Sequence, residues 1–274
     1  MSLMNSSRSE LTKQFTTSIW WILAIVLFVY VGMTAGGLAA TFGALATGAL
    51  DSSAANGPVL PAEVLPPVIY SLATAVGYVF PLLIGTLLVT GEFRHKTLTP
   101  TFLATPRRGV ALAGKIVAGV VMGALYAAIA IVAAVGPGAG LLAAFGVDAQ
   151  FGQSDTWALI GRMALAFVLW ALIGIGIGTL VRNQIAAVVG VLAFTQFVEP
   201  ILRAVGAFVD GVSGVTEYLP GAASDALVGA SIFTSIGTDA DLGLGWWAGG
   251  LLLLGYAAVF LLLGWLFSWR RDVS

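Results

Sequence analysis

Residues 91–109 read GEFRHKTLTPTFLATPRRG, and this stretch decides the fold. It gathers Arg94, His95, Lys96, Arg107 and Arg108 between two apolar segments, each long enough to cross a bilayer. So dense a basic interruption in a lipid-soluble chain marks a loop held on one side of a membrane. A helix-compatible stretch, Pro100 and a second stop at Thr105-Pro106 punctuate it. A loop that only fixed topology would need the charge but not the punctuation. Two readings stand: a topogenic loop, or a rigid element on which a partner pushes.

The rest of the chain agrees with a membrane setting. Of 274 residues, 59% are hydrophobic and 9% are charged, against about 25% charged in an ordinary soluble domain. About 20 apolar residues span the roughly 30 Å hydrocarbon core. On that ruler the sequence predicts six helices: Ile19 to Ala40, Pro67 to Thr90, Val110 to Val135, Trp157 to Val181, Ile185 to Val198 and Trp246 to Trp269. Gly136-Pro137-Gly138 is expected to stop the third, and Glu199-Pro200 to end the fifth early. The expected fold is therefore all-α and polytopic, a single transmembrane domain over residues 1–274. Trp20-Trp21, Trp157, Trp246-Trp247, Trp265 and Trp269 sit at span ends like interfacial aromatic belts.

Charge gives the orientation. With both termini and the 91–109 loop inside, the inner basic residues are Arg8, Lys13, Arg94, Lys96, Arg107, Arg108, Lys115, Arg182, Arg270 and Arg271. Only Arg162 and Arg203 of the 12 remain outside. That asymmetry predicts cytoplasmic termini. Residues 1–18 are polar, with Leu11 and Phe15 spaced for a helix lying along the inner interface, and are not expected to form a cleaved signal. The 199–245 region holds short apolar pieces, Ile201–Val209 and Ala226–Ile236, broken at Gly211 and at Leu219-Pro220-Gly221. These predict re-entrant or interfacial helices between the fifth and sixth spans.

Chemical motifs are few. There is no Cys and one His, which excludes disulfides and thiol chemistry and leaves no metal-ligand cluster. Gly109-Val110-Ala111-Leu112-Ala113-Gly114-Lys115-Ile116 nearly matches a phosphate-binding loop, but Ile116 lacks the hydroxyl for Mg²⁺ and no strand precedes it. Asn5-Ser6-Ser7 matches a glycosylation acceptor by chance on an inner segment. Small residues four apart recur at Gly32/Gly36, Gly119/Gly123, Gly174/Gly178 and Gly245/Gly249, and the densest, Gly174–Gly178, predicts a tight helix crossing. Ionisable residues inside spans are scarce, which argues against a proton relay. Pro81 should kink the second span. With Thr195, Gln196 and Glu199 it forms a tentative substrate pathway, although the three polar residues equally suit hydrogen bonds between helices.

Glu92-Phe93-Arg94-His95-Lys96-Thr97, followed by Thr105-Pro106-Arg107-Arg108, resembles the segment after the second helix of ABC-2 type permeases, with its E-[FY]-R-x-x-T opening and T-P-x-R close. Those are the membrane subunits of bacterial ABC exporters, so the resemblance implies a bacterial inner membrane. Ser9-Glu10-Leu11-Thr12-Lys13 is similar to the interfacial helix that precedes their first span, and the six-span layout matches. Lys96 departs from the family, which often has Gly there, and this bears on the local turn.

The resemblance implies a permease subunit that pairs into a homodimer and binds separate ABC ATPase subunits. It would have no ATPase site of its own, and ATP and Mg²⁺ would be used by the partner. Glu92, Phe93, Arg94, His95, Lys96, Thr97, Thr105, Pro106, Arg107 and Arg108 would form the ATPase-coupling element. Neither nucleic acid nor a bound cofactor is expected. The alternatives are a stand-alone secondary transporter or channel and a membrane assembly factor.

Overall fold

A computed structural model of the chain describes residues 2–50, 60–105, 107–208, 213–232 and 244–269. Among these the structure is helical, without strands. Six helices are long and apolar enough to cross a membrane: Ile19–Ala46, Leu65–Arg94, Arg108–Ala144, Ser154–Leu180, Gln184–Gly206 and Trp246–Trp269. The chain is an all-α, multi-pass membrane protein.

The elements in order are α1 (Leu3–Thr16), α2 (Ile19–Ala46), α3 (Leu65–Gly77), α4 (Val79–Arg94), α5 (Leu98–Ala104), α6 (Arg108–Ala144), α7 (Ser154–Leu180), α8 (Gln184–Ala193), α9 (Glu199–Phe208), α10 (Ser213–Thr216), α11 (Pro220–Val228) and α12 (Trp246–Gly264). A π-helical turn, Phe194–Val198, joins α8 to α9, and another, Trp265–Trp269, follows α12. The second span, α3 plus α4, is the most enclosed, whereas the fifth and sixth expose most of their apolar surface.

The centre is the crossing of α4 with α7, and glycine makes it possible. A Cβ on Gly85 would meet the Ala171 carbonyl, one on Gly174 the Leu82 carbonyl, and one on Gly178 the Thr86 carbonyl. Gly176 points the other way, against Phe260 and Leu261 of α12. The Gly174–Gly178 stretch thus seats the fourth span against the second and sixth at once, by the close backbone approach its spacing predicts.

Two expectations at proline need correction. The third helix does not stop at Gly136-Pro137-Gly138; it runs with Pro137 inside it to Ala144. There the true stop is a Schellman cap: Gly146 has φ +78°, its N–H bonds the Ala143 carbonyl, and the Val147 N–H bonds the Leu142 carbonyl. Inside the helix, Pro137 deprives one carbonyl of its donor, a cost that membrane helices tolerate where neighbours pack against the freed group. That carbonyl, of Ala133, lies 3.5 Å from where a Cβ on Gly32 would stand.

Nor does Glu199-Pro200 end the fifth helix. The π turn absorbs the proline: the Glu199 N–H bonds the Phe194 carbonyl five residues back. In that register residue 200 would donate to the Thr195 carbonyl, and proline has no N–H. The Tyr78 hydroxyl donates to it instead, at 3.2 Å. Ile201–Val209 is accordingly no separate re-entrant piece over its described part; it extends the fifth helix through Phe208. The second span breaks at Tyr78, three residues before Pro81, as a proline kink requires.

Between the fifth and sixth spans, α11 returns into the bundle against α3, α7 and α12. Pro220 opens it and Gly229, at φ +84°, closes it. Close approach of Gly249 to the Ala223 carbonyl seats it on α12. Residues 233–236 of the predicted Ala226–Ile236 piece lie outside the described residues.

Candidate functional site

The loop after the second span is folded, and its turn is specific. α4 closes in a second Schellman motif: the Thr97 N–H bonds the Glu92 carbonyl at 3.0 Å and the Lys96 N–H the Phe93 carbonyl at 3.4 Å. Such a cap needs a left-handed residue, ordinarily glycine. Lys96 occupies it at φ +54°. The turn therefore forms with lysine in the glycine position. Helix α5 follows at once, and Thr105 precedes the start of α6.

Beneath the loop, four charges close an alternating ring. Lys115 Nζ lies 2.8 Å from Glu10 Oε2 and 2.9 Å from Glu92 Oε2. Lys13 Nζ lies 2.7 Å from Glu10 Oε1 and 2.8 Å from Glu92 Oε1. The Lys115 side chain is fully buried and those of Glu10 and Glu92 nearly so, while Lys13 remains 42% exposed. Lys115 also donates to the Leu88 carbonyl at 3.4 Å. Two lysines and two glutamates balance, which is what burial of charge demands. Three separate segments are locked by this ring: α1, the end of α4 and the start of α6.

Burial alone would push the Glu10 carboxyl up, but the ammonium groups of Lys115 and Lys13 overcome it and hold the pKa below its ordinary 4.5. Lys13 shows the mirror image: burial lowers it, but hydrogen bonds to Glu10 and Glu92 dominate and raise it above 10.5.

A second clamp holds the far end of the loop. Arg108 donates to the Trp269 carbonyl at 3.2 Å, and the Trp269 indole donates to the Arg108 carbonyl at 3.0 Å. The Arg108 guanidinium lies over the Phe102 ring at 5.1 Å, and Phe102 meets Trp269 edge-on. Leu98 and the partly buried Phe93 join this apolar patch.

The ten residues of the predicted coupling element thus separate. Glu92 belongs to the buried ring, Thr105 is buried, and Arg108 is clamped to the sixth span. Arg94, His95, Lys96, Thr97 and Arg107 are exposed, with Thr99, Pro100 and Leu103 beside them. Leu103 is 78% exposed. Pro106 lies outside the described residues. Lys13 and Lys115 were legible as inner charges and Glu10 as part of the interfacial segment, none of them as an ion-pair partner. Lys115, two turns into an apolar helix, was the signal that a buried counter-charge must exist.

The tentative pathway residues do not form one lining. Pro81 and Thr195 are buried, Gln196 is exposed on the other side of its helix, and Glu199 is 1% exposed. Glu199 Oε1 accepts the Gly221 N–H at the start of α11. Nearby, Arg203 pairs with Asp225 at 2.6 Å, and the Ser231 hydroxyl bonds the same Asp225 oxygen at 2.8 Å.

No family model matches this sequence, and no curated protein sequence does.

Proposed function

We propose that the chain is the membrane-spanning permease subunit of an ATP-driven ABC exporter, working as a homodimer with separate ATPase subunits. The observation that carries this reading is the short α5 helix, fixed at both ends and flanked by the exposed Arg94, His95, Lys96 and Arg107. A mechanical input needs a stiff contact, and the ion ring and the Arg108–Trp269 clamp join this one to α1, α4, α6 and the sixth span. In this reading the loop and termini face the cytoplasm of a bacterial cell, and the charge asymmetry supports it. Force on α5 would pass along α4 and α6 to the opposite side. This reading expects an ABC ATPase gene beside this one, and the experiment is co-expression of the two. Co-purification is expected, with loss of coupled hydrolysis and normal membrane insertion in Arg94→Glu and Leu103→Asp. Full coupling in both variants would refute the role of the loop.

The buried Glu199 favours a second reading, an ion-coupled transporter working alone. Transport by the pure chain in liposomes under an ion gradient, without nucleotide, would decide for it.

A further inference from the structure

Away from the loop, a cavity of about 370 Å³ lies between the second, fourth, fifth and sixth spans. That is within the range of small-molecule sites, roughly 300–1,000 Å³. Leu82, Trp170, Phe194, Tyr256 and Phe260 form its walls. The faces of aromatic rings carry partial negative charge and attract cations. Gly190, exposed on α8, stands at its edge, so a solute already dissolved in the bilayer can reach it.

One end is closed by Thr195 and Pro220. Behind that end, one helical turn beyond Thr195, stands the carboxylate of Glu199, bonded to Gly221, the residue after Pro220. Its Oε2 has no hydrogen-bond partner among the described residues. The cation beside it, Arg203, is bonded to Asp225. Two carboxyl groups therefore stand beside one guanidinium, which is engaged by Asp225, and the start of α11 offers Glu199 only a partial positive charge. A buried carboxyl without a counter-charge of its own is costly to ionise. A ligand that carries one positive charge into the cavity supplies the counter-charge with which Glu199 can ionise, and a neutral ligand supplies none.

We propose that this cavity binds a lipophilic ammonium compound, its apolar body among Trp170, Phe194, Tyr256 and Phe260 and its N–H groups at the Thr195–Pro220 end. The site requires only this chain, so its failure would leave the coupling reading standing.

The probe is 1-naphthylmethylammonium, with 1-naphthylmethanol as its neutral isostere. Both are titrated onto the chain in zwitterionic nanodiscs at neutral pH, and uptake by empty nanodiscs is subtracted. Saturable binding of the amine is expected, about tenfold tighter than the alcohol, the typical difference between a charge-assisted contact and a neutral one. Glu199→Gln should bring the amine to the level of the alcohol. Gly190→Leu should abolish binding of both; no atom lies within 4 Å of a Cβ there, so the added side chain fits the fold and fills the cavity edge. Equal binding of amine and alcohol, or unchanged binding in Gly190→Leu, overturns the proposal. Should Glu199→Gln fail to fold, those two comparisons decide it alone.

Discussion

Replacing Lys115 by methionine tests the buried ring most directly. Of its four contacts, the two made by Lys13 are the weaker, because Lys13 is 42% exposed and water screens it. The two made by Lys115 are fully enclosed. Lys115→Met leaves Glu10 and Glu92 facing each other across one half-solvated ammonium, with a net buried charge of −1. Removing one partner from a buried ionic group costs about 3–5 kcal/mol. Glu92→Gln in the same chain restores neutrality and should recover at least about half of that loss. The assay is equilibrium unfolding in mixed micelles, with hydrogen exchange of the α1 amides in parallel. A 14-residue helix is marginal alone, so freeing α1 should raise its exchange before global unfolding. The reasoning fails if Lys115→Met costs less than about 1 kcal/mol, or if the added Glu92→Gln deepens the loss.

Four further outcomes follow from the geometry. The α1 clamp should persist from about pH 5 to pH 10: Glu10, its pKa held below 4.5, gives stability present above that value and lost as acid protonates it. Lys13, raised above 10.5, gives stability present below that value and lost in stronger alkali; exchange of α1 amides against pH checks both limbs. Gly174→Val drives a side chain into the Leu82 carbonyl and should destabilise by about 3 kcal/mol or more, read as a lowered unfolding midpoint. Tyr78→Phe strips the Thr195 carbonyl of its donor and should cost about 1–3 kcal/mol in the same assay. Lys96→Gly relieves the left-handed backbone and should stabilise the turn by up to about 1 kcal/mol, while removing one outward charge.

Spans and crossing were legible because they rest on local rules. Twenty apolar residues reach across lipid, and Gly174–Gly178 packs where its spacing says. The third and fifth helices ran past their proline signals for a reason a linear reading cannot weigh: lipid offers a freed carbonyl no water, so the chain keeps the helix and finds another neighbour. At Pro137 that neighbour is packing near Gly32, and at Pro200 it is the hydroxyl of Tyr78, 117 residues from the carbonyl it serves. The ion ring was illegible for a related reason. Glu10 and Lys115 are 105 residues apart, and each alone reads as a surface charge at a membrane edge. The loop's cations were legible as a cluster, but which of them face outward depended on the cap at Lys96 and on Trp269.

The π turn at Phe194–Val198 has an angular consequence. An α-helix advances about 100° per residue, and one surplus residue delays everything beyond it by that angle. Deleting a single residue within 194–198 would rotate Glu199 off Gly221 and onto the flank that Phe197 and Val198 now show to the hydrocarbon. The misregister is what keeps the acid indoors.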